Sequence, residues 1–206
     1  MTQRSFTLSE VLLFALTVLV ARCGSPPDNK QVQADYDKRT GRLRQLTYDS
    51  NKNGKPDSFS YMDGTKVLRV EVDKDEDGKI DRWEYYGADQ KLEKVGLSRL
   101  NTGKVDEWAY QGADGTVARI EMSTKHDGKV GRTELYEKGA LVRAEEDTDG
   151  NGIPDKWETY SDGVLTSVAF DTEGTGRPTR RLVYGKDGTL SRIDRGAALE
   201  HPPSQP

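Results

Sequence analysis

A twelve-residue segment at 73–84, hereafter the 73 loop, carries acidic side chains at a spacing that suits a hard cation. Carboxylates stand at positions 1, 3, 5, 9 and 12, and the main-chain carbonyl at position 7 is a further oxygen donor. These positions are Asp73, Asp75, Asp77, Lys79, Asp81 and Glu84. Calcium takes about six to eight oxygen ligands, and glycine at position 6, here Gly78, permits the sharp turn around the ion. The segment therefore predicts a calcium site.

Two further segments share this arrangement. The 147 loop, residues 147–158, offers Asp147, Asp149, Asn151, the carbonyl of Ile153, Asp155 and Glu158. The 49 loop, residues 49–60, offers Asp49, Asn51, Asn53, the carbonyl of Lys55 and Asp57, and has Ser60 at position 12. Because ligand charge tunes calcium affinity, the 49 loop is predicted to be the weaker site.

The alternative is that these residues only form turns, where Asp, Asn and Gly are all favoured. Three related segments, hereafter the 98 loop (98–109), the 123 loop (123–134) and the 171 loop (171–182), keep glycine at position 6 but lack most of the oxygen donors. The first two begin with Ser98 and Ser123, and the third has Thr175 and Thr179 at positions 5 and 9. Such a turn therefore does not need the acids, which favours calcium for the 73 and 147 loops. The three degraded loops are predicted to bind nothing.

The six loops start 24 or 25 residues apart, so the chain is one internal repeat. Between the loops, apolar and polar residues alternate with a period of two, and Asp-Gly pairs mark tight turns. Two strands per unit give about 14 strands over residues 32–195. The predicted fold class is all-β, an elongated or curled antiparallel meander of about seven hairpin repeats of about 24 residues. Strands are predicted at 57–61, 67–72 and 81–86.

The strand residues form columns from one repeat to the next. An aromatic column contains Phe59, Trp83, Trp108 and Trp157, and aliphatic columns run beside it. A charged column contains Arg69, Lys94, Arg119, Arg143 and Arg192. We expect the aromatic and aliphatic columns to form one apolar face and the charged column to lie on a solvated opposite face.

Composition narrows the function classes. The chain has 206 residues, with 31 basic against 35 acidic residues and a formal net charge of −4, which gives no nucleic-acid signature. One cysteine excludes a disulfide framework within the chain, and two histidines leave little for imidazole catalysis or zinc. The sequence contains no evident nucleophile–base set, so it does not predict an enzyme. A less favoured alternative is a hydrolase of envelope polymer that uses acids such as Glu84 and Glu134.

The first 22 residues have the pattern of an export signal. Arg4 precedes an apolar run at 11–21, which is too short to span a bilayer and fits a secretory signal. Cys23 follows small residues, so the segment resembles a bacterial lipoprotein signal with Cys23 lipidated, although Arg22 departs from that pattern. Secretion without lipidation and a retained anchor are the alternatives. The predicted organisation is a signal peptide at 1–22, a flexible tether at 23–31, the repeat domain at 32–195 and a disordered tail at 196–206.

Two family resemblances follow from these motifs. The Asp-rich loops followed by Trp-Glu-x-Tyr resemble tandem-repeat bacterial lipoproteins with EF-hand-like calcium loops, although the flanks alternate as strands do. Residues 36–43 and 184–190 are similar to tyrosine-aspartate and MORN-like hairpin repeats. The resemblances imply a curled or elongated sheet and no enzyme. The expected partners are calcium ions, the membrane through the anchor at Cys23, and an envelope protein or polymer. The expected location is the cell envelope, anchored at the outer membrane or secreted.

Overall fold

The computed structural model describes residues 31–196, which form one sheet of fourteen antiparallel strands. Each strand pairs with its sequence neighbours, so the spatial order follows the chain from β1 to β14. No helix occurs within the described range. The strands are β1 (Val32–Tyr36), β2 (Leu43–Tyr48), β3 (Ser58–Asp63), β4 (Lys66–Val72), β5 (Arg82–Tyr86), β6 (Leu92–Leu97), β7 (Glu107–Gln111), β8 (Val117–Met122), β9 (Arg132–Glu137), β10 (Ala140–Glu146), β11 (Lys156–Ser161), β12 (Val164–Phe170), β13 (Arg180–Tyr184) and β14 (Leu190–Arg195).

The predicted all-β meander is confirmed. The strands expected at 57–61, 67–72 and 81–86 are β3, β4 and β5, each within two residues of its predicted bounds. The predicted signal peptide, the lipidation site Cys23, the tether up to residue 30 and the tail from residue 197 lie outside the described residues.

Tight turns close one edge of the sheet. At Asp162 and Gly163 both residues have positive φ, 52° and 75°, as a type I′ hairpin turn requires. A register shift between Thr159 and Tyr160 lies just before this turn, and each of the seven hairpins in the described range has an equivalent shift. Because successive strands are antiparallel, the six long loops lie side by side along the opposite edge.

The prediction of one apolar face and one charged face was wrong. Phe59 pairs with Glu71 and Tyr61 with Arg69, so the aromatic and charged columns share a face. The Arg69 guanidinium carbon lies 3.7 Å from the centre of the Tyr61 ring, and the Tyr61 hydroxyl donates to Glu71 at 2.9 Å. The cause is that the two strands of a repeat alternate in opposite phase. Where one strand presents aromatic residues, its partner presents charged ones.

The opposite face mixes residue types in the same way. Val70 of β4 pairs with Glu84 of β5, and Glu84 pairs in turn with Val95 of β6. The buried hydrophobic residues in the described range are consequently few and divided between the faces: Val95, Ala144 and Val168 on this face, Trp157 and Ala169 on the other. A single sheet with so little enclosed apolar surface depends on contacts between neighbouring repeats for its order.

Candidate metal centre

Two internal hydrogen bonds recur, each in five of the six long loops. The exceptions are the 98 loop, where Ser98 accepts from the N–H at position 5, and the 123 loop, where Gly131 at position 9 has no side chain. The side chain at position 1 accepts from the main-chain N–H at position 6, as in Asp49 with Gly54 at 2.7 Å. The side chain at position 9 accepts from the N–H at position 2, as in Asp81 with Lys74 at 2.7 Å. Loops that make both bonds have the side chains at positions 1 and 9 fixed against the loop backbone.

In the 73 loop this pattern brings three carboxylates together. Asp73, Asp75 and Asp81 each place one oxygen within 4.8 Å of the others. Asp73 is 9% exposed, and its Oδ2 accepts from the N–H of Gly78 at 2.9 Å. Its Oδ1 is buried and has no hydrogen-bond partner among the described residues. A buried carboxylate oxygen without a partner is costly, which marks this loop as short of one hydrogen-bond donor or cation.

Asp77 and Lys79 take different places in the same loop. The Asp77 carboxylate lies outside the three-acid cluster and accepts from Lys79 twice, from its main-chain N–H at 2.8 Å and from its ammonium at 2.9 Å. The hydrogen bond from the Lys79 side chain is the largest cause of the lowered pKa of Asp77. The ligand predicted at Lys79 is its main-chain carbonyl. The structure pairs the Lys79 ammonium with the carboxylate of Asp77 in the same loop.

The 147 loop forms an equivalent cluster of Asp147, Asp149 and Asp155. Here the position-1 carboxylate is fully hydrogen-bonded. Asp147 Oδ1 accepts from the N–H of Gly150 at 2.6 Å, and Oδ2 accepts from the N–H of Gly152 at 2.7 Å. Burial acts to raise the pKa of Asp147, but these two main-chain donors lower it below its ordinary value.

The remaining predicted ligands of the 147 loop also bond within it. Asp149 Oδ1 accepts from the N–H of Asn151 at 2.9 Å, and Asn151 Oδ1 accepts from the N–H of Ile153 at 2.7 Å. Asp155 accepts from the N–H of Thr148 at 3.1 Å. The side chains of this loop are therefore satisfied without an ion.

The 49 loop has no three-acid cluster among the described residues. Asp49 accepts from the N–H groups of Asn53 and Gly54, and Asp57 accepts from the N–H of Ser50 at 2.9 Å. The remaining predicted ligand positions bond along the turn, with Asn51 Oδ1 accepting from the N–H of Asn53 at 3.0 Å and Asn53 Oδ1 accepting from the N–H of Lys55 at 2.8 Å.

The structure does not bring the two position-12 glutamates into the clusters. Glu84 accepts from Arg82 Nε and from the Tyr86 hydroxyl, each at 2.7 Å, along its own strand β5. The reason is the rise of the backbone. A strand advances about 3.3 Å per residue against about 1.5 Å in a helix, so three residues carry Glu84 about 10 Å beyond Asp81.

Glu158 belongs to a larger charge network on the sheet. It accepts from Arg132 Nη2 at 2.7 Å and from the Tyr160 hydroxyl at 2.9 Å, and it pairs with Lys156 at 2.8 Å. Arg132 lies on β9 and Glu158 on β11, so this bond spans β10, where Ala144, the pairing partner of Glu158, is 1% exposed. Burial acts to raise the pKa of Glu158, but its hydrogen bonds from Lys156 and Arg132 lower it to about 2.

The degraded loops fold with the same turn. Ser98 Oγ accepts from the N–H of Thr102 at 3.0 Å, and Ser123 Oγ accepts from the N–H of Gly128 at 3.0 Å. A neutral acceptor at position 1 is thus sufficient for the turn. The extra carboxylates of the 73 loop are not required by the backbone.

Sequence reasoning missed the residue at position 4, which contacts the preceding loop. Asn101 of the 98 loop donates through Nδ2 to Asp75 Oδ2 at 2.7 Å, and a longer bond of 3.3 Å reaches Asp77. Glu76 of the 73 loop accepts from Asn53 Nδ2 at 2.6 Å. Glu76 and Asn101 have left-handed backbone, with φ of 59° and 52°. The signal in the sequence was a residue other than glycine at position 4, where the loop backbone is left-handed. Such a residue could have been considered for contacts outside its own loop.

Comparison with known proteins adds little. No protein-family model matches the sequence, and no curated protein matches it. Among solved structures, the chain is similar to the crystal structure of TarM, at 14% identity over 47% of this chain and 18% of that one, with a TM-score of 0.37. It is also similar to the GtfA/B complex bound to UDP and GlcNAc, at 16% identity over 50% of this chain and 22% of that one, with a TM-score of 0.36. The chain spans about a fifth of the length of these proteins. Likenesses at this level carry no argument about function.

Within residues 31–196, no helix is long and apolar enough to cross a membrane.

Proposed function

We propose that this chain is a calcium-binding repeat protein whose principal site is the 73 loop. The observation that carries the proposal is the buried, unpartnered Oδ1 of Asp73, a residue that forms a cluster with Asp75 and Asp81. Three carboxylates within 4.8 Å repel one another, and a cation among them removes that repulsion while it satisfies the buried oxygen. The 98 and 123 loops make the same turn with serine, so turn formation does not explain these acids.

Calcium suits this site better than magnesium. The donors are carboxylates, a carbonyl at Lys79 and water, and calcium accepts such mixed oxygen sets in flexible geometry. Magnesium demands near-ideal octahedral ligands at about 2.0–2.1 Å and dehydrates reluctantly. With three clustered carboxylates on an exposed loop edge, the expected Kd is that of extracellular calcium modules, about 10⁻⁴–10⁻³ M.

The role that we propose is structural, or that of an interaction surface, at the cell envelope. A sheet with few buried hydrophobic residues gains stability from any ion that binds only the folded loop. The N-terminal sequence supports export and a lipid anchor at Cys23. Replacing Cys23 with Ser is expected to shift the protein from the detergent phase to the aqueous phase in a partitioning assay. Unchanged partitioning would show that the anchor is the apolar run at 11–21.

The test of calcium binding is a calorimetric titration of the purified protein and of Asp73→Asn. Asparagine keeps an oxygen for the N–H of Gly78 but removes the charge, so the turn is preserved while the cation loses a ligand. We expect saturable calcium binding in the parent and loss of its tightest site in the variant. Identical titrations of the two proteins, or no saturable heat in the parent, would overturn the proposal.

A metal-free scaffold is the second candidate, and the 147 loop favours it. Asp147 accepts main-chain hydrogen bonds on both oxygens, so that loop is ordered without an ion. Melting curves in calcium and in chelator separate the candidates, because a scaffold that needs no ion has the same midpoint in both.

A further inference from the structure

One side chain of the 98 loop is directed into the 73 loop. Asn101 donates through Nδ2 to Asp75 Oδ2 at 2.7 Å and to Asp77 Oδ2 at 3.3 Å. The Lys79 ammonium lies 3.4 Å from the Asn101 carbonyl oxygen, and the Lys79 side chain packs against Gly103. The two loops therefore meet at Asp75, a member of the acidic cluster, and at the neighbouring Asp77 and Lys79.

The Asn101 amide is only half satisfied in this position. Its Oδ1 is buried and has no hydrogen-bond partner among the described residues. The Oδ1 of Asp73, a residue that is 9% exposed, has none either. Without an ion, the amide nitrogen must face the carboxylates, because its oxygen would be repelled by them. A cation reverses this preference, and rotation of the amide then directs Oδ1 toward the ion.

The backbone at Asn101 does not require a side chain, so the contacts of that side chain are a separate feature of the site. Its φ is 52°, a left-handed conformation that glycine adopts at no steric cost. Gly150 and Gly174 occupy the same position in the 147 and 171 loops, with φ of 85° and 70°. The two bonds of the Asn101 side chain recorded in the described range both go to the neighbouring loop.

The twelve-residue pattern predicts Glu84, at position 12, as a ligand of the 73 loop, but the structure does not bring Glu84 into the cluster. Glu84 is held on the sheet by Arg82 and Tyr86, which leaves the cluster without a donor from position 12. We propose that Asn101 Oδ1 takes that place, so that the cation of the 73 loop is bound by two adjacent repeats. This inference rests on the proposed calcium function and extends it, because the ion then links the β4–β5 connection to the β6–β7 connection.

The experiment isolates the 73 loop. In a background protein with Asp49→Asn and Asp147→Asn, calcium heat in a calorimetric titration reports this loop alone. Asn101→Gly is then compared with that background. We expect its calcium Kd to rise about tenfold or more, the scale on which groups that position a metal act. Its melting midpoint in chelator is expected to stay level or rise, because glycine relieves the left-handed backbone.

His126→Gly is the matched control. His126 occupies the same position in the 123 loop, with φ of 57°, and no acidic cluster lies in the loop before it. The control is expected to leave the calcium Kd unchanged. A second readout counts waters on the metal. Europium bound in place of calcium should gain a coordinated water in Asn101→Gly, measured by its luminescence lifetime in H₂O and D₂O, and none in His126→Gly.

The outcomes separate the two claims. If the background protein gives no saturable calcium heat, the proposed function fails and this inference fails with it. If the background binds calcium and Asn101→Gly binds equally well with the same hydration, the calcium function stands and the two-repeat site is overturned.

Discussion

The 73 and 147 loops have the same acids at positions 1, 3 and 9 and the same cluster, yet their chemistry differs. Asp147 is saturated by main-chain N–H groups on both oxygens. Asp73 is bonded on one oxygen only, and the other is buried without a partner in the described structure. The same spacing of acids thus yields one loop whose position-1 carboxylate is hydrogen-bonded on both oxygens and one in which a single oxygen is bonded.

The difference arises from residues that are not ligands in the pattern. Gly150 at position 4 turns its N–H onto Asp147 Oδ1, while Glu76 at the equivalent place directs its carboxylate to the preceding loop. The following loop adds a second difference, since Asn101 reaches the 73 loop and the corresponding Gly174 has no side chain. We therefore expect calcium affinity in this repeat to depend on neighbouring units as well as on the acids.

The largest expected effect separates the two position-12 glutamates. Glu158→Gln is expected to destabilise the protein by about 3 kcal/mol at neutral pH. The substitution removes the negative charge that pairs with Arg132 and Lys156 in a partly buried network. Glu84→Gln, with partners only on its own strand, is expected to cost about 1–2 kcal/mol. Urea unfolding of both variants beside the parent measures the difference, and equal costs would contradict it.

The effect of Glu158 should depend on pH in a defined direction. Its pKa in the folded protein, about 2, is below the ordinary value of 4.5, so its stabilisation is present above pH 4.5 and is lost as the pH falls toward 2. The difference in free energy of unfolding between the parent and Glu158→Gln is therefore expected to narrow as the pH falls from 4.5 toward 2. A gap that is constant from pH 7 to about pH 2.5 would show that the carboxylate charge is not what stabilises the network.

The next prediction compares how much calcium stabilises the 73 loop and the 147 loop. With Kd of about 10⁻⁴–10⁻³ M, about 2 mM calcium should stabilise the 73 loop by roughly 0.7–1.8 kcal/mol. An ion at the 147 loop must share Asp147 with Gly150 and Gly152, so its contribution should be smaller. We expect Asp73→Asn to remove most of the calcium-dependent rise in melting midpoint and Asp147→Asn to remove less. The reverse order would mean that saturated hydrogen bonds mark a preorganised site.

The fold was predictable because its signals are local and repeated. The period of 24–25 residues, the alternation in strands such as β4, and the Asp-Gly turns each specify hairpins, and seven similar units reinforce the inference. The distribution of aromatic and charged residues between the two faces of the sheet was harder to predict. It depends on the register between strands, which pairs Tyr61 with Arg69, and that register shifts beside each tight turn of the described sheet.

The site was predictable in part for a different reason. Positions 1, 3 and 9 lie within the loop, so their spacing alone brings Asp73, Asp75 and Asp81 together. Position 12 depends on whether the chain continues as a helix or a strand, and the strand carries Glu84 away. The role of Asn101 depends on contact between loops that are one repeat apart, which the pattern within a single loop does not contain.

The smallest expected effect concerns the tethered ammonium at position 7. Lys79 Nζ pairs with Asp77 Oδ2 at 2.9 Å, and both side chains are well exposed, whereas the 147 loop has Ile153 at this position. Calcium entering the 73 loop competes with that charge. Lys79→Met is expected to tighten calcium binding by roughly two- to fivefold, the scale of an exposed ion pair, and the gain in affinity should shrink at high salt.

Ile153→Lys is the reciprocal variant, which places an ammonium at position 7 of the 147 loop, and it should weaken calcium binding there by a similar factor. Calorimetric titrations at low and high salt measure both changes. If removing the ammonium leaves the affinity unaltered at every salt concentration, Lys79 is a bystander, and the difference between the two loops lies in Asp73 and Asn101 alone.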